Sequence, residues 1–227
     1  MILTAHQPMF MPWLGLFDKI SKADVFCIFD DVPFERHGFG NRNQIKTHTG
    51  AQWLTVPVHL DDHLAKPAHQ VRICDDHKWR RKHLRSIELA YQKALYFKFY
   101  WPAIKLLYSA DFTTLAMLDK AILETFLSLL GIKVEIVTAS QLGFSGSKSD
   151  LVLDMCVKLG ATEYWFGEQG MAYCDVRSFT DAGVTPRFQC YQHPTYRQLH
   201  GAFASHMSII DLLMNCGPAS LRILRNE

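Results

Sequence analysis

The sequence has none of the short motifs that mark a familiar catalytic apparatus. GxSxG, Walker A, HExxH and GxGxxG are all absent, so no nucleophile elbow, P-loop, zincin helix or dinucleotide fingerprint is expected. The six cysteines, Cys27, Cys74, Cys156, Cys174, Cys190 and Cys216, form no CxxC pair. That spacing argues against a zinc or dithiol site and fits buried free thiols in a reducing cytoplasm. Cys156 and Cys216 fall in helical patterns and read as core rather than as nucleophiles. No basic segment followed by a long apolar stretch opens the chain, so no signal peptide is expected. No apolar run reaches about 18 residues, so no membrane span is expected either. Charge of one sign is also scarce. The formal net charge is +2, which by itself gives no argument for a nucleic-acid partner.

What is present is a core-forming chain of 227 residues, 48% of them apolar. Met1 to Ala5 reads as a short buried strand ended by His6-Gln7-Pro8. Pro12 suits the first turn of a helix running to about Lys22, with Trp13, Leu14, Phe17 and Ile20 on one face. Val25 to Phe29 is a second strand, ended by Asp30-Asp31. Strand, helix and strand in such a short span make a βαβ unit, which favours a parallel sheet.

The pattern then changes. Residues 53–58 and 70–74 read as short strands of an inserted β layer, with an exposed loop over 59–69. His59 and His63 in that loop have four-residue spacing, which would suit a metal on a helix. Nothing around them reads as helix, so a metal-free fold is expected. Helices follow over 78–94, 97–109 and 115–130, the last stopped by Gly131. The basic run from Lys78 to Arg85 reads as a solvated helix face, or as a contact for phosphates. Alternation then returns: a strand at 134–137, a helix capped by Ser147 or Ser149 and ended by Gly160, strands at 164–166 and 187–191, and a closing helix at 207–214. The expected fold is α/β, with a mostly parallel, Rossmann-like sheet flanked by helices. It is read as one domain over 1–227, with a sub-layer of short strands and helices over about 50–130.

The polar clusters fall where such sheets bind ligands, at strand ends that feed helices. His6 and Gln7 follow strand one, beside Trp13. An imidazole and an amide there can face a phosphate or a reacting carbonyl, or simply form a turn with Pro8. Asp30 and Asp31 can hold a hydroxyl, an amine or Mg²⁺, or form an Asx turn before Pro33. Asn41, Arg42, Asn43 and Lys46 have the inventory for an anionic, hydroxyl-rich ligand. Gly167 and Gly170 follow the strand at 164–166, with Tyr173 just beyond. Tyr191 belongs to a later polar and aromatic group suited to stacking on a base or sugar ring.

These segments together resemble the WbqC-like family. The likeness is carried by His6-Gln7-Pro8-x-x-x-Pro12-Trp13-x-Gly15, by Lys19-Ile20, Ala23-Asp24 and Asp30-Asp31-Val32, and by Asn41-Arg42-Asn43. It continues through residues 53–58, Trp79 with His83, Leu159-Gly160-Ala161, Tyr164, Gly167, Gly170 and Tyr173, and residues 208–213. The chain departs from the family pattern at Pro33-Phe34, where members often carry Gln-Phe. The resemblance implies a place in bacterial surface-polysaccharide (O-antigen) biosynthesis. It also implies transfer of glycine or a similar acyl group to the amine of a nucleotide-linked sugar. The strand, histidine and helix opening also resembles the HIGH-type nucleotidylyl transferase superfamily, although only His6 of its two histidines is present.

The resulting expectation is a cytoplasmic acyl or aminoacyl transferase acting on a nucleotide-sugar substrate. His6 would be the base, Asp30 or Asp31 would orient the amine, Asn41 or Asn43 would support the oxyanion, and Arg42 would hold the diphosphate. His6, Asp30, Asn41 and Arg42 are expected to converge on one pocket. The donor stays open between an ATP-derived adenylate, a carrier-protein or CoA thioester, and aminoacyl-tRNA. Two rivals stand beside this reading. One is an ATP-dependent ligase or nucleotidylyl transferase acting through an adenylate, and the other is a non-catalytic sugar-nucleotide binding or scaffold protein.

Overall fold

A computed structural model describes residues 1–35, 37–59, 66–74, 76 and 78–227. The elements in chain order are β1 (Ile2–His6), α1 (Leu14–Ile20), β2 (Val25–Ile28), β3 (Arg42–Thr47), β4 (Gly50–Thr55), α2 (Lys78–Tyr91), α3 (Phe97–Ser109) and α4 (Leu115–Leu130). They continue with β5 (Glu135–Thr138), α5 (Lys148–Leu159), β6 (Glu163–Phe166), α6 (Val176–Asp181), β7 (Thr185–Phe188), α7 (Ile209–Cys216) and α8 (Ser220–Leu224).

Five strands form one parallel sheet in the order β5-β2-β1-β6-β7. Both faces are covered, as an all-parallel sheet requires. Side-chain alternation assigns the faces. Leu3, Ala5, Val25 and Cys27 join Tyr164, Phe166, Val152 and Phe179 in one core. Phe26 and Ile28 point the other way, into a larger core with α1, α2, α3, α4 and α7. The chain moves outward from β1 through β2 to β5, then returns to the opposite side of β1 to add β6 and β7. The order therefore reverses between β1 and β6. At such a switch point the loops leaving the two strands diverge and open a crevice at their carboxyl ends.

The helix stops are simple. α4 and α5 both end on a glycine in the left-handed region, Gly131 at φ 73° and Gly160 at φ 69°, where a β-carbon would be strained. Thr114 caps α4 by accepting a hydrogen bond from the Met117 N–H.

Several elements differ from the sequence expectation. α1 starts at Leu14 rather than Pro12, because Trp13 is extended (φ −82°, ψ 168°) and bridges to Ser208. The segment Arg42–Thr47 is a strand, paired in register with β4 as an antiparallel hairpin from Arg42–Thr55 to Thr47–Gly50. The strand expected at 70–74 is instead the end of a 3-10 turn, Ala68–Gln70, followed by single bridges of Arg72 to Thr114 and Ile73 to Val58. β7 lies at 185–188, upstream of the expected 187–191. His59 donates its N–H to the Arg72 carbonyl at 3.0 Å, while His63 lies outside the described residues. Among the described residues no helix is long and apolar enough to cross a membrane.

Candidate functional site

A cavity of about 580 Å³ opens at the carboxyl end of the sheet and takes its wall from both sides of the β1/β6 switch point. Its size lies within the range usual for small-molecule sites. From β1 and the loop after it come Ala5, His6 and Gln7; from α1, Gly15 and Lys19; from β6 and its loop, Phe166, Gly167, Gly170 and Tyr173. Gln189 and Tyr191 close it from the segment after β7.

His6 is the last residue of β1. Its Nδ1 lies 2.8 Å from the Gln7 carbonyl, which can only accept. Nδ1 therefore carries the hydrogen, and Nε2 keeps a free lone pair. Burial, and then the charge of Lys19, lower the pKa of His6 to about 4. The imidazole is neutral at physiological pH. Lys19 is only 4% exposed and donates from Nζ to the Ala5 carbonyl at 2.9 Å. Burial lowers its pKa to about 8.

The far wall is aromatic and amide-rich. Trp13 meets Tyr191 edge-on at 5.5 Å between centroids and stacks on His206 at 5.3 Å. Gln189 Nε2 donates to the Gly15 carbonyl at 2.9 Å and to Asp18 Oδ2 at 2.7 Å, tying the chain after β7 to α1. The Tyr191 hydroxyl is buried without a hydrogen-bond partner among the described residues. Burial and the nearby Asp18 hold this phenol above its usual range. The two glycines differ. A β-carbon on Gly170 would stand 2.5 Å from Phe166 Cβ, so packing alone demands glycine there. A β-carbon on Gly167 would meet nothing within 4 Å.

Seven of the thirteen residues singled out in the sequence line this cavity: His6, Gln7, Trp13, Gly167, Gly170, Tyr173 and Tyr191. The other six lie elsewhere, so His6, Asp30, Asn41 and Arg42 do not converge. Asp30 accepts from the Ser140 N–H and hydroxyl, both at 2.9 Å, and so links the ends of β2 and β5. Asp31 is exposed, 4.0 Å from His69. Asn41 Nδ2 donates to the Val56 carbonyl at 2.9 Å and closes the hairpin. Asn43 is buried and donates to the Met11 carbonyl at 2.7 Å, pinning the loop after β1. Lys46 is buried and donates to Gln198 Oε1 at 3.0 Å. Arg42 stacks over Trp53, with its guanidinium carbon 4.5 Å from the ring centroid. In each case except Asp31 and Arg42, whose Nε is buried without a hydrogen-bond partner among the described residues, the polar group is spent on the fold.

The cavity adds residues that the sequence reading did not place among the site residues. Lys19 and Gln189 are the chief ones, with Glu35 and Glu168 exposed at the mouth. The overlooked sign for Lys19 was its setting. α1 is buried along all seven residues, Asp18 and Lys19 included. A helix closed in on every side needs a reason for each charge it carries.

Comparison with known proteins agrees with the motifs. The chain is 31% identical over 221 residues to the uncharacterized protein Rv1507c of Mycobacterium tuberculosis, covering 96% of this chain and 95% of that one. No solved structure matches it. The WbqC-like protein family model matches residues 7–223, and the chain belongs to that family.

Proposed function

We propose that the protein transfers an acyl group of the glycyl type to the amine of a nucleotide-linked amino sugar, for surface-polysaccharide biosynthesis. The observation that carries this reading is the neutral His6, which lines a cavity at the β1/β6 switch point and whose Nε2 carries no hydrogen. A cavity there suits a small ligand, and the Trp13, Tyr173 and Tyr191 rings offer faces for a base or sugar. In the proposed step the sugar amine attacks the acyl carbonyl and an N–C bond forms. The amine proton passes to His6 Nε2, and the bond from the acyl carbon to its activating group breaks. The activating group leaves with its electron pair and takes a proton from the imidazolium. The activating group belongs to an adenylate, a thioester of a carrier protein or CoA, or aminoacyl-tRNA. Asp30 and Asn43 are not given roles in this step, because their polar groups are engaged away from the cavity, nor is Arg42, which does not line it.

The test is incubation of the purified protein with a panel of nucleotide amino sugars and these donors, read by mass spectrometry for N-acylated product. Amide formation that needs ATP and releases pyrophosphate or AMP would instead favour the ligase reading. Tight binding of a sugar nucleotide with no product from any donor would favour a binding or scaffold role.

A further inference from the structure

The cavity wall holds a cation with no counter-charge among the described residues. Lys19 is buried, and among the described residues its Nζ has one hydrogen bond, to the Ala5 carbonyl at 2.9 Å. An ammonium has three donors and a full charge to compensate. Among the described residues no carboxylate lies within 4.0 Å of it; the adjacent Asp18 is turned to Lys22, at 2.7 Å, and to Gln189, at 2.7 Å. Removing an unpaired charge from water is among the most costly things a fold can do. The carboxylates that do line the cavity, Glu35 and Glu168, are exposed at its mouth. The site is therefore cationic inside and acidic at the rim, and the missing partner of Lys19 is an anion brought from solution.

We infer that Lys19 is the docking point for an oxyanion of the ligand, a phosphate or a carboxylate, held beside His6 at the inner end of the β1/β6 cavity. A lysine serves this purpose as a point charge, without the fork geometry of arginine. The other titratable groups that line the cavity are His6 from β1, Tyr164 from β6, Tyr173 beyond it and Tyr191 after β7, with the exposed Glu35 and Glu168. None of them supplies a second buried cation or a buried carboxylate. The bound oxyanion stabilises the charged form of Lys19, and it also offsets the Lys19 field that helps to keep His6 a weak base. If His6 is the base of the acyl transfer proposed above, the ligand itself raises the basicity of that residue. This last consequence rests on the proposed function, whereas oxyanion docking does not.

The experiment is calorimetric titration of the full-length protein with pyrophosphate and, separately, with malonate, for the wild type and for Lys19→Met. Each is run at pH 8.5 in two buffers of different ionisation enthalpy. The expected result is binding of at least one anion to the wild type with net proton uptake, once the protons that pyrophosphate itself releases at this pH are subtracted. Lys19→Met should weaken that binding by about tenfold or more, the loss of a charge-assisted contact, and abolish the uptake. Preference for pyrophosphate assigns the site to a phosphate, and preference for malonate assigns it to a carboxylate. If Lys19→Met does not fold, lysine labelled at the ε-carbon reports the same point in the wild type. The Lys19 resonance must then titrate at least about one pH unit higher with saturating anion. Failure of both anions to bind, unchanged affinity in Lys19→Met, or binding without proton uptake would each overturn the inference. A negative acyl-transfer assay beside a positive titration would remove the proposed reaction and leave the oxyanion site standing.

Discussion

The indole of Trp13 lies directly over Gly15. A β-carbon built on Gly15 would stand 2.3 Å from Trp13 Cη2, so only glycine lets the ring fold back over the first turn of α1 and form part of the cavity wall. Gly15→Ala is expected to push the ring out and destabilise the protein by about 1–3 kcal/mol, the usual cost of overpacking. The same change in a Trp13→Ala background should cost much less, because the clash has gone. Thermal or urea unfolding of the four proteins in this double-mutant cycle gives the coupling. Additive effects would mean that the ring and the glycine do not interact.

Gly167 presents the opposite case. Its φ of −69° is open to any residue, and a β-carbon meets nothing. Gly167→Val is expected to change stability by no more than about 0.5 kcal/mol. It should nevertheless weaken ligand binding by about tenfold or more, since the new side chain occupies the space the ligand needs. Paired unfolding and binding measurements check this. Unchanged affinity would place the ligand away from the β6 loop.

His6 and Asp30 should separate chemistry from architecture. His6→Ala is expected to leave ligand affinity nearly intact and to cut single-turnover rates by on the order of 10²-fold, as for loss of a general base. Asp30→Ala removes both bonds to Ser140 and should cost about 1.5–3 kcal/mol of stability, with the rate per folded molecule close to that of the wild type. Full activity in His6→Ala with a confirmed substrate would make His6 a turn residue.

Asp119 is buried, and neither carboxylate oxygen has a hydrogen-bond partner among the described residues. Desolvation holds its pKa well above the usual carboxylate range. The folded state therefore keeps a proton that the unfolded chain releases above about pH 4, and stability falls as pH rises from there. Asp119→Asn is expected to stabilise the protein at pH 7 by about 1–3 kcal/mol, with the gain shrinking toward pH 4. Denaturant melts of both proteins across pH 4 to 7 measure it. A gain that does not depend on pH would refute the assignment.

His83 titrates in the other direction. It is buried between the Tyr108 hydroxyl, at 3.1 Å, and the Thr55 carbonyl, at 3.1 Å, and burial lowers its pKa to about 4. The unfolded chain takes up a proton near pH 6.5 that the folded state refuses until about pH 4. Its stability contribution is complete above pH 6.5 and is lost as pH falls through that window, by on the order of 3 kcal/mol. His83→Gln should flatten the acid side of the stability curve, as followed by circular dichroism melts.

The backbone of this protein was largely legible in the linear chain. Gly131 and Gly160 stop the helices where their position in the pattern said they would. The apolar runs that became β1, β2 and β6 announced a parallel sheet, because period, caps and breakers are local properties of the backbone. The polar ends of β1 and β6 were also readable, and the chain reversal between those strands made their loops the two sides of one cavity. What the linear chain could not reveal is which polar side chains the fold uses up. Asn41, Asn43 and Lys46 look like a ligand-binding loop until β3 pairs with β4. Asn43 then finds the Met11 carbonyl 32 positions away, and Lys46 finds Gln198 across 152 positions. Lys19 is the converse, an ordinary lysine on a short helix until β1, β6 and the chain after β7 close around it. Whether a polar group is satisfied depends on partners distant in sequence, and only the packing of those segments puts Lys19 and His6 on the wall of one cavity.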